Sequence, residues 1–376
     1  MKIAICGLFD FRNEIITRLP GKAILSVYFE FSSLFQKRIF DFTPVFPYQD
    51  VSSFKETIDF FVISYKEGST LQSAIHTLKE AGIPSSKIIL YSVFRASTCV
   101  DPLSRFNSLP SKGFETLIFG MSHAKSDIRL SALSHSAFSF AAPSMDIFCH
   151  YSILKFLYRT YPETMKNVRY FLFDLPYYSF DYDLSLQRSF RFSKMIYFRS
   201  FNDYHHIDDP FYISSFVAFY SVFIDGVFSQ GYYSDIFTPN SQKISIREKA
   251  VAIKKSLSGY EKIWKKSYPS TIAENSLLWT SLVDLIQKNS PAAEIIVAVL
   301  PFNPVFRRSH PILTRKKKME FYQNINVRPG IHVIDFFADN LRSSDFMDHC
   351  HLRPFSSEEW SFRMNERLFG KGGGAK

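Results

Sequence analysis

The chain has 376 residues, 46% of them hydrophobic and 21% charged, an ordinary globular composition that supports a sizeable core and two domains. Its formal net charge of +10 favours anionic partners such as acidic glycans, acyl-CoA, nucleic acid or an anionic membrane face. No run of about 18 uninterrupted apolar residues is present to span a membrane. The start, MKIAICGLFDF, lacks the long apolar core and cleavage site of a signal peptide, so the chain reads as cytoplasmic.

Residues 1–105 read as alternating strands and helices. Lys2–Cys6, Ala23–Tyr28, Ile58–Ser64 and Ile88–Ser92 are predicted strands; Asn13–Leu19 and Leu71–Ala81 are predicted helices. The second helix stops at Gly82 with Pro84 just beyond. That alternation predicts a small Rossmann-like parallel sheet. The loop after the first strand, Gly7 to Asn13, has one glycine and carries Phe9 and Asp10. A G-x-G-x-x-G loop needs later glycines so that backbone can approach a pyrophosphate, so the nucleotide loop reads as degenerate. Pro102, Pro110 and Gly113 mark a linker around Val100–Lys112, with 106–113 separating the two domains.

The second domain, 114–369, opens with FETLIFGMSHA, an apolar run that breaks into Gly120 and small polar residues. This is the pattern of a buried strand and tight turn, with Ser122 at the carboxyl edge of a sheet. Ser126–Ala142 reads as a loop or short helix over that edge, Asp146–Tyr158 as a buried amphipathic helix, and Val168–Leu175 as a strand stopped by Pro176. Phe211–Phe228 reads as a core helix, and His205-His206-Ile207-Asp208-Asp209 as a solvated turn. Glu274–Lys288 is a predicted helix, Glu294–Leu300 and Ile331–Phe336 predicted strands, and Ser356–Phe369 a closing helix. The basic run from Arg307-Arg308 to Arg315–Lys318 reads as a solvated loop, and 370–376 as a flexible tail. Cys6, Cys99, Cys149 and Cys350 lack paired or metal-type spacing, which argues against disulfides and a zinc site.

GMSHA resembles the G-x-S block of SGNH/GDSL-type serine hydrolases. Asp348-His349-Cys350-His351-Leu352 is similar to their D-x-x-H block. The stretch from Ala141 to Ser185 resembles a subgroup found among bacterial surface-polysaccharide genes, in which a Rossmann-like domain precedes the hydrolase domain. The resemblance implies an α/β protein with a three-layer α/β/α second domain. It also implies a triad of Ser122 as nucleophile, His351 as base and Asp348 as its orienter, with Gly120 and His123 supporting the turn. His349 is a competing base that the D-x-x-H spacing passes over.

The oxyanion hole departs from the family pattern. Ser122 N–H is a natural donor, and the family's glycine donor maps onto Ala141-Ala142-Pro143-Ser144, where Ser144 N–H could substitute. No GxND block is present, leaving Tyr177, Tyr178 and Asn303 as side-chain candidates. The resemblance implies acyl transfer through an acyl-serine, with O-acetylation of a surface glycan or its precursor favoured and acetyl-CoA as donor. No tightly bound cofactor or metal is expected, and no nucleic-acid partner; peripheral contact with an anionic membrane stays open. An esterase on the same glycans, or an inactive glycan-binding or assembly protein, are the alternatives.

Overall fold

A computed structural model describes residues 1–7, 10–19, 21–30, 38–40, 42–66, 68–94, 102–109, 111–187, 191–224, 269–325 and 328–370. The architecture is α/β, with two sheets of mainly parallel strands. Backbone proximity divides the chain into two units: Met1–Val100 with Ser185–Thr238, and Asp101–Leu184 with Pro239–Lys376. The aromatic segment after Leu184 therefore groups with the N-terminal sheet, where a single second domain over 114–369 was expected. The reason is local. Helix Pro210–Phe219 lays Phe216 against Phe94 at a ring separation of 5.4 Å, and its Ser215 hydroxyl accepts the N–H of Leu90 at 3.2 Å. Among the described residues no helix is long and apolar enough to cross a membrane.

The first sheet contains β1 (Lys2–Cys6), β2 (Ile24–Glu30), β3 (Arg38–Phe40), β4 (Thr43–Pro47), β5 (Phe60–Ile63) and β6 (Ile88–Leu90). They lie in the order β3-β4-β2-β1-β5-β6, and only β3 is antiparallel. The β3–β4 hairpin was not foreseen; Pro44 and Pro47 inside so short a run mask a strand signal. Taken alone, the parallel strands follow the 3-2-1-4-5 order of a Rossmann sheet, whose crevice lies between β1 and β5. Here the chain fills that crevice itself. Gly7, at φ 109°, has no room for a side chain, since a Cβ would lie 2.5 Å from Ser64 Oγ. The Ser64 hydroxyl caps the carbonyls of Cys6 and Gly7, and Tyr65 donates its hydroxyl to Glu30 at the end of β2.

The second sheet contains β7 (Thr116–Phe119), β8 (Ala137–Ser139), β9 (Tyr170–Asp174), β10 (Glu294–Val299) and β11 (Ile331–Asp335). All are parallel, in the order β8-β7-β9-β10-β11. Strand alternation gives the sheet two apolar faces. Ile118, Leu172 and Ile296 join a core with Ile128, Leu352 and Trp360, which brings helix Pro354–Phe369 onto one face. Phe119 and Phe173 point the other way, stacked at 5.0 Å, and meet His150 of helix Ile147–Thr160 and Trp279 of helix Pro269–Asn289. Helices on both faces make this unit three layers deep. The predicted linker holds a short helix, Pro102–Asn107, because Phe106 is buried among Phe138, Phe140 and Tyr161. Strand β8 lies where a loop or short helix was expected; three residues are too few to display alternation.

The basic run is also not a loop. Arg307 and Arg308 lie on helix Pro304–Ser309, and Arg315 to Lys318 on helix Pro311–Asn324. Lys317 faces inward to a buried ion pair with Asp181, while Lys318 meets Asp335 at 2.7 Å. Ile312 and Met319 are exposed on the same helix, so its burial does not follow its polarity.

Candidate active site

In a 2-1-3-4-5 sheet the connections diverge between the first and third strands, leaving a crevice at their carboxyl ends. Here those strands are β7 and β9. The chain leaves β7 through Gly120 and Met121, and helix Ser122–Asp127 begins at Ser122. Gly120 is required by close approach: a Cβ there would lie 2.6 Å from Asp174 Cβ and 2.8 Å from Ala124 Cβ. Asp174, at the end of β9, occupies that space. Its Oδ2 accepts the N–H of Ala124 at 3.1 Å and of Met121 at 3.4 Å, so one carboxylate spans the residues on either side of Ser122.

The partner segment arrives from beyond β11. An isolated antiparallel bridge between Phe346 and Leu352 pinches the intervening residues into a narrow loop, and Met347 donates its N–H to the His351 carbonyl at 2.7 Å. Inside the loop Asp348 Oδ1 accepts the N–H groups of Cys350 (2.9 Å) and His351 (2.8 Å), leaving Oδ2 for His351 Nδ1 at 2.7 Å. His351 Nε2 then lies 2.8 Å from Ser122 Oγ. The structure thus brings Ser122, His351 and Asp348 into one hydrogen-bonded line.

The electrostatics suit that line. Burial disfavours the Asp348 carboxylate, but the His351 hydrogen bond and charge, His349 and the Cys350 N–H outweigh it, holding Asp348 well below the usual carboxylate range. Burial likewise disfavours charged His351, yet the Asp348 contact, with Asp127 and Asp174 behind it, raises the imidazole above its ordinary value. His349 is different: burial dominates and pushes it down to about 4. Its Nε2 lies 3.0 Å from Cys350 Sγ, so this ring is turned to the thiol. His123 is buried behind the nucleophile, 5.4 Å from His351 and from Phe302 between ring centres. Burial, then the charges of His351 and His349, keep it neutral.

Three other expected residues serve different ends. Asn303 is wholly buried and donates its side-chain amide to the Asp348 carbonyl at 3.0 Å. Its Oδ1 caps helix Pro304–Ser309 through Val305 N–H, and its own N–H reaches the His349 carbonyl. It therefore braces the Asp348 loop, with one amide N–H, its Oδ1 and its backbone N–H committed there, where a side-chain oxyanion donor was a candidate. Tyr177 is corrected likewise: its hydroxyl donates to Asp335 Oδ2 at 2.6 Å. Tyr178 is buried, with its hydroxyl 3.5 Å from Met121 Sδ beneath the turn. Ser144 sits at φ 68°, and its carbonyl accepts the Tyr182 hydroxyl. Its loop lies against the nucleophile turn, since Ala142 donates its N–H to the Gly120 carbonyl. Among the described residues neither Ser122 nor Ser144 spends its backbone N–H on a hydrogen bond.

Two residues were missed from the sequence, Asp174 and Asp127. Both are fully buried, and burial outweighs their hydrogen bonds to raise each to about 7. Asp127 Oδ1 accepts the N–H of Leu352 at 3.0 Å, tying the serine helix to the histidine loop. A signal existed for Asp174, an acid ending the apolar run YFLF. The helix also binds the C-terminal helix through Ser361, whose hydroxyl donates to the Asp127 carbonyl and accepts from Arg129 N–H.

No protein-family model and no curated protein matches the sequence. Among solved structures, the crystal structure of the lipase Lip_vut3 from a goat rumen metagenome is 12% identical, with 68% of this chain and 98% of that chain covered and a TM-score of 0.34. A score that low carries no argument about activity, so the functional reading rests on the site itself.

Proposed function

We propose that the protein catalyses acyl transfer through an acyl-enzyme on Ser122. The observation that carries this reading is the line Asp348–His351–Ser122, closed at 2.7 and 2.8 Å. Neutral His351 takes the hydroxyl proton at Nε2 as Ser122 Oγ attacks a carbonyl carbon. Asp348, kept ionised, fixes the ring through Nδ1 and stabilises the imidazolium that forms. The N–H groups of Ser122 and Ser144 are the oxyanion donors in this reading, and each such donor is worth roughly 100- to 1000-fold in rate. His351 then returns its proton to the leaving group, and an acceptor hydroxyl repeats the sequence in reverse.

The finer reading is transfer of an acetyl group from acetyl-CoA to a hydroxyl of a surface glycan or its precursor. Its support is the resemblance to surface-polysaccharide proteins and the basic residues Arg307 and Arg308, on the helix that leaves the carboxyl end of β10. These cations suit donor phosphates or an acidic sugar. Water as acceptor makes the same site an esterase. A cytoplasmic location and peripheral contact with an anionic membrane belong to this reading as well.

The test is labelling by a fluorophosphonate probe. Wild type is expected to label, and Ser122→Ala and His351→Ala are expected not to. Acetyl-CoA consumption with and without acidic oligosaccharides then separates transfer from hydrolysis. A folded wild type that does not label would sink the acyl-enzyme and leave a glycan-binding or assembly role.

A further inference from the structure

The stretch Asp348-His349-Cys350-His351 contains a thiol for which the proposed chemistry has no use. Cys350 is fully buried, with Sγ 3.0 Å from His349 Nε2, 3.6 Å from His351 Nδ1 and 4.0 Å from His351 Nε2. His123 reaches the same spot from the serine helix. One ligand atom each from His123, Cys350 and His351 fall within 4.8 Å of one another. We infer that this cluster is an inhibitory site for a thiophilic divalent cation, with zinc the ion it fits best.

The donor set decides the ion. One sulfur and two imidazoles select zinc and its soft neighbours, whereas magnesium and calcium require oxygen ligands. Tetrahedral zinc, with Zn–S about 2.3 Å and Zn–N about 2.0 Å, sets its ligand atoms roughly 3.5 Å apart. The ligand atoms, all within 4.8 Å of one another, need approach by only about 1 Å to reach that spacing. Three protein ligands leave a fourth position for water. Asp348 already holds His351 Nδ1, the outer-shell arrangement that orients a metal-ligating imidazole and leaves Nε2 to bind. His351 is about 21% exposed, which opens the cluster to an entering ion.

The sequence argued against such a site because the cysteines lack metal spacing. The fold supplies what spacing could not, by setting the residue after Ser122 beside the residue before His351. On binding, Cys350 gives its proton to solvent and coordinates as thiolate; no electron moves. His351 Nε2 cannot ligate zinc and receive the Ser122 proton together, so the occupied site holds the triad off. This inhibitory consequence rests on the acyl-enzyme reading, whereas the binding site does not.

The experiment titrates the full chain with zinc against a chromogenic chelator and, in parallel, follows fluorophosphonate labelling with zinc, magnesium or EDTA. Wild type and Ser122→Ala should each bind one zinc. Cys350→Ala and the volume-preserving Cys350→Ser should bind more weakly than the roughly 100-fold loss that removal of a mere supporting partner causes. Zinc should suppress wild-type labelling reversibly and spare both Cys350 variants, each read against its own EDTA-treated rate; magnesium should do nothing. Failure of both wild type and Ser122→Ala to bind zinc, or equal binding by folded Cys350 variants, overturns the site. Zinc bound at Cys350 by a protein that never labels would support the site and refute the acyl-enzyme.

Discussion

The carboxyl ends of the two sheets make an instructive pair. Each sheet has its crevice where a glycine follows the first strand, Gly7 after β1 and Gly120 after β7, and in each a Cβ would collide with the neighbouring strand's exit. At Gly7 the obstacle is Ser64, whose hydroxyl is consumed by two carbonyls, and Glu30 is held by Tyr65. At Gly120 the obstacle is Asp174, which instead steadies the turn and leaves the Ser122 hydroxyl to a histidine. Topology supplies the crevice in both; whether polar groups satisfy each other or face a reactant decides what the crevice can do.

Four substitutions probe that contrast, in falling order of expected effect on labelling. Asp348→Asn should cut the labelling rate by about 10,000-fold, since the amide can hold His351 in the wrong tautomer; an unimpaired rate would move the base elsewhere. Asn303→Ala should cost about 10- to 100-fold, because the Asp348 loop loses its brace and small misplacements are costly. The matching observable is a lower melting temperature, from a buried carbonyl left unpaired at about 1–3 kcal/mol.

Asp127→Asn should act mainly on the pH dependence of stability. The folded carboxyl titrates near 7 against an ordinary 3.8, so the folded state holds a proton that the unfolded chain releases. That contribution is complete below pH 3.8 and is lost as pH rises through 7, falling by about 3 kcal/mol between pH 5 and 8. Thermal melts should show wild type losing more stability over that interval than the asparagine variant; parallel curves would place the charge elsewhere. Gly7→Ala should lower the melting temperature, being strained at φ 109° and crowded by Ser64. It should leave the labelling rate within about 2-fold, and a large loss there would mean that the crevices are coupled.

Much of this was legible in the sequence for a physical reason. Strands buried on both faces are written as near-continuous apolar runs, and Leu117-Ile118-Phe119 and Ile295 to Val299 announce themselves that way. The abrupt change to Gly120 and Ser122 marks a sheet edge, and the tight D-x-x-H spacing marks an acid and base on one loop. Asp127 was illegible as a site residue, and Asp174 showed only as an acid ending an apolar run, because their importance lies in backbone N–H groups they accept, and backbone donors look alike in every sequence. Asn303 is hard to read for a related reason. Its side chain can donate wherever it is placed, and only the fold reveals that one of its amide hydrogens braces the Asp348 loop. Strands as short as β3 and β8 carry too few residues to show a period.

The bridge between Phe346 and Leu352 has a consequence in time. Closing that small loop costs about 3 kcal/mol less chain entropy than joining His351 to a serine 229 residues away. Local contacts of this kind form early in folding, and distant ones late. A refolding chain would therefore acquire its acid–base pair first and remain inert to a serine probe until the sheet delivers Ser122, so the return of reactivity would report the last long-range step.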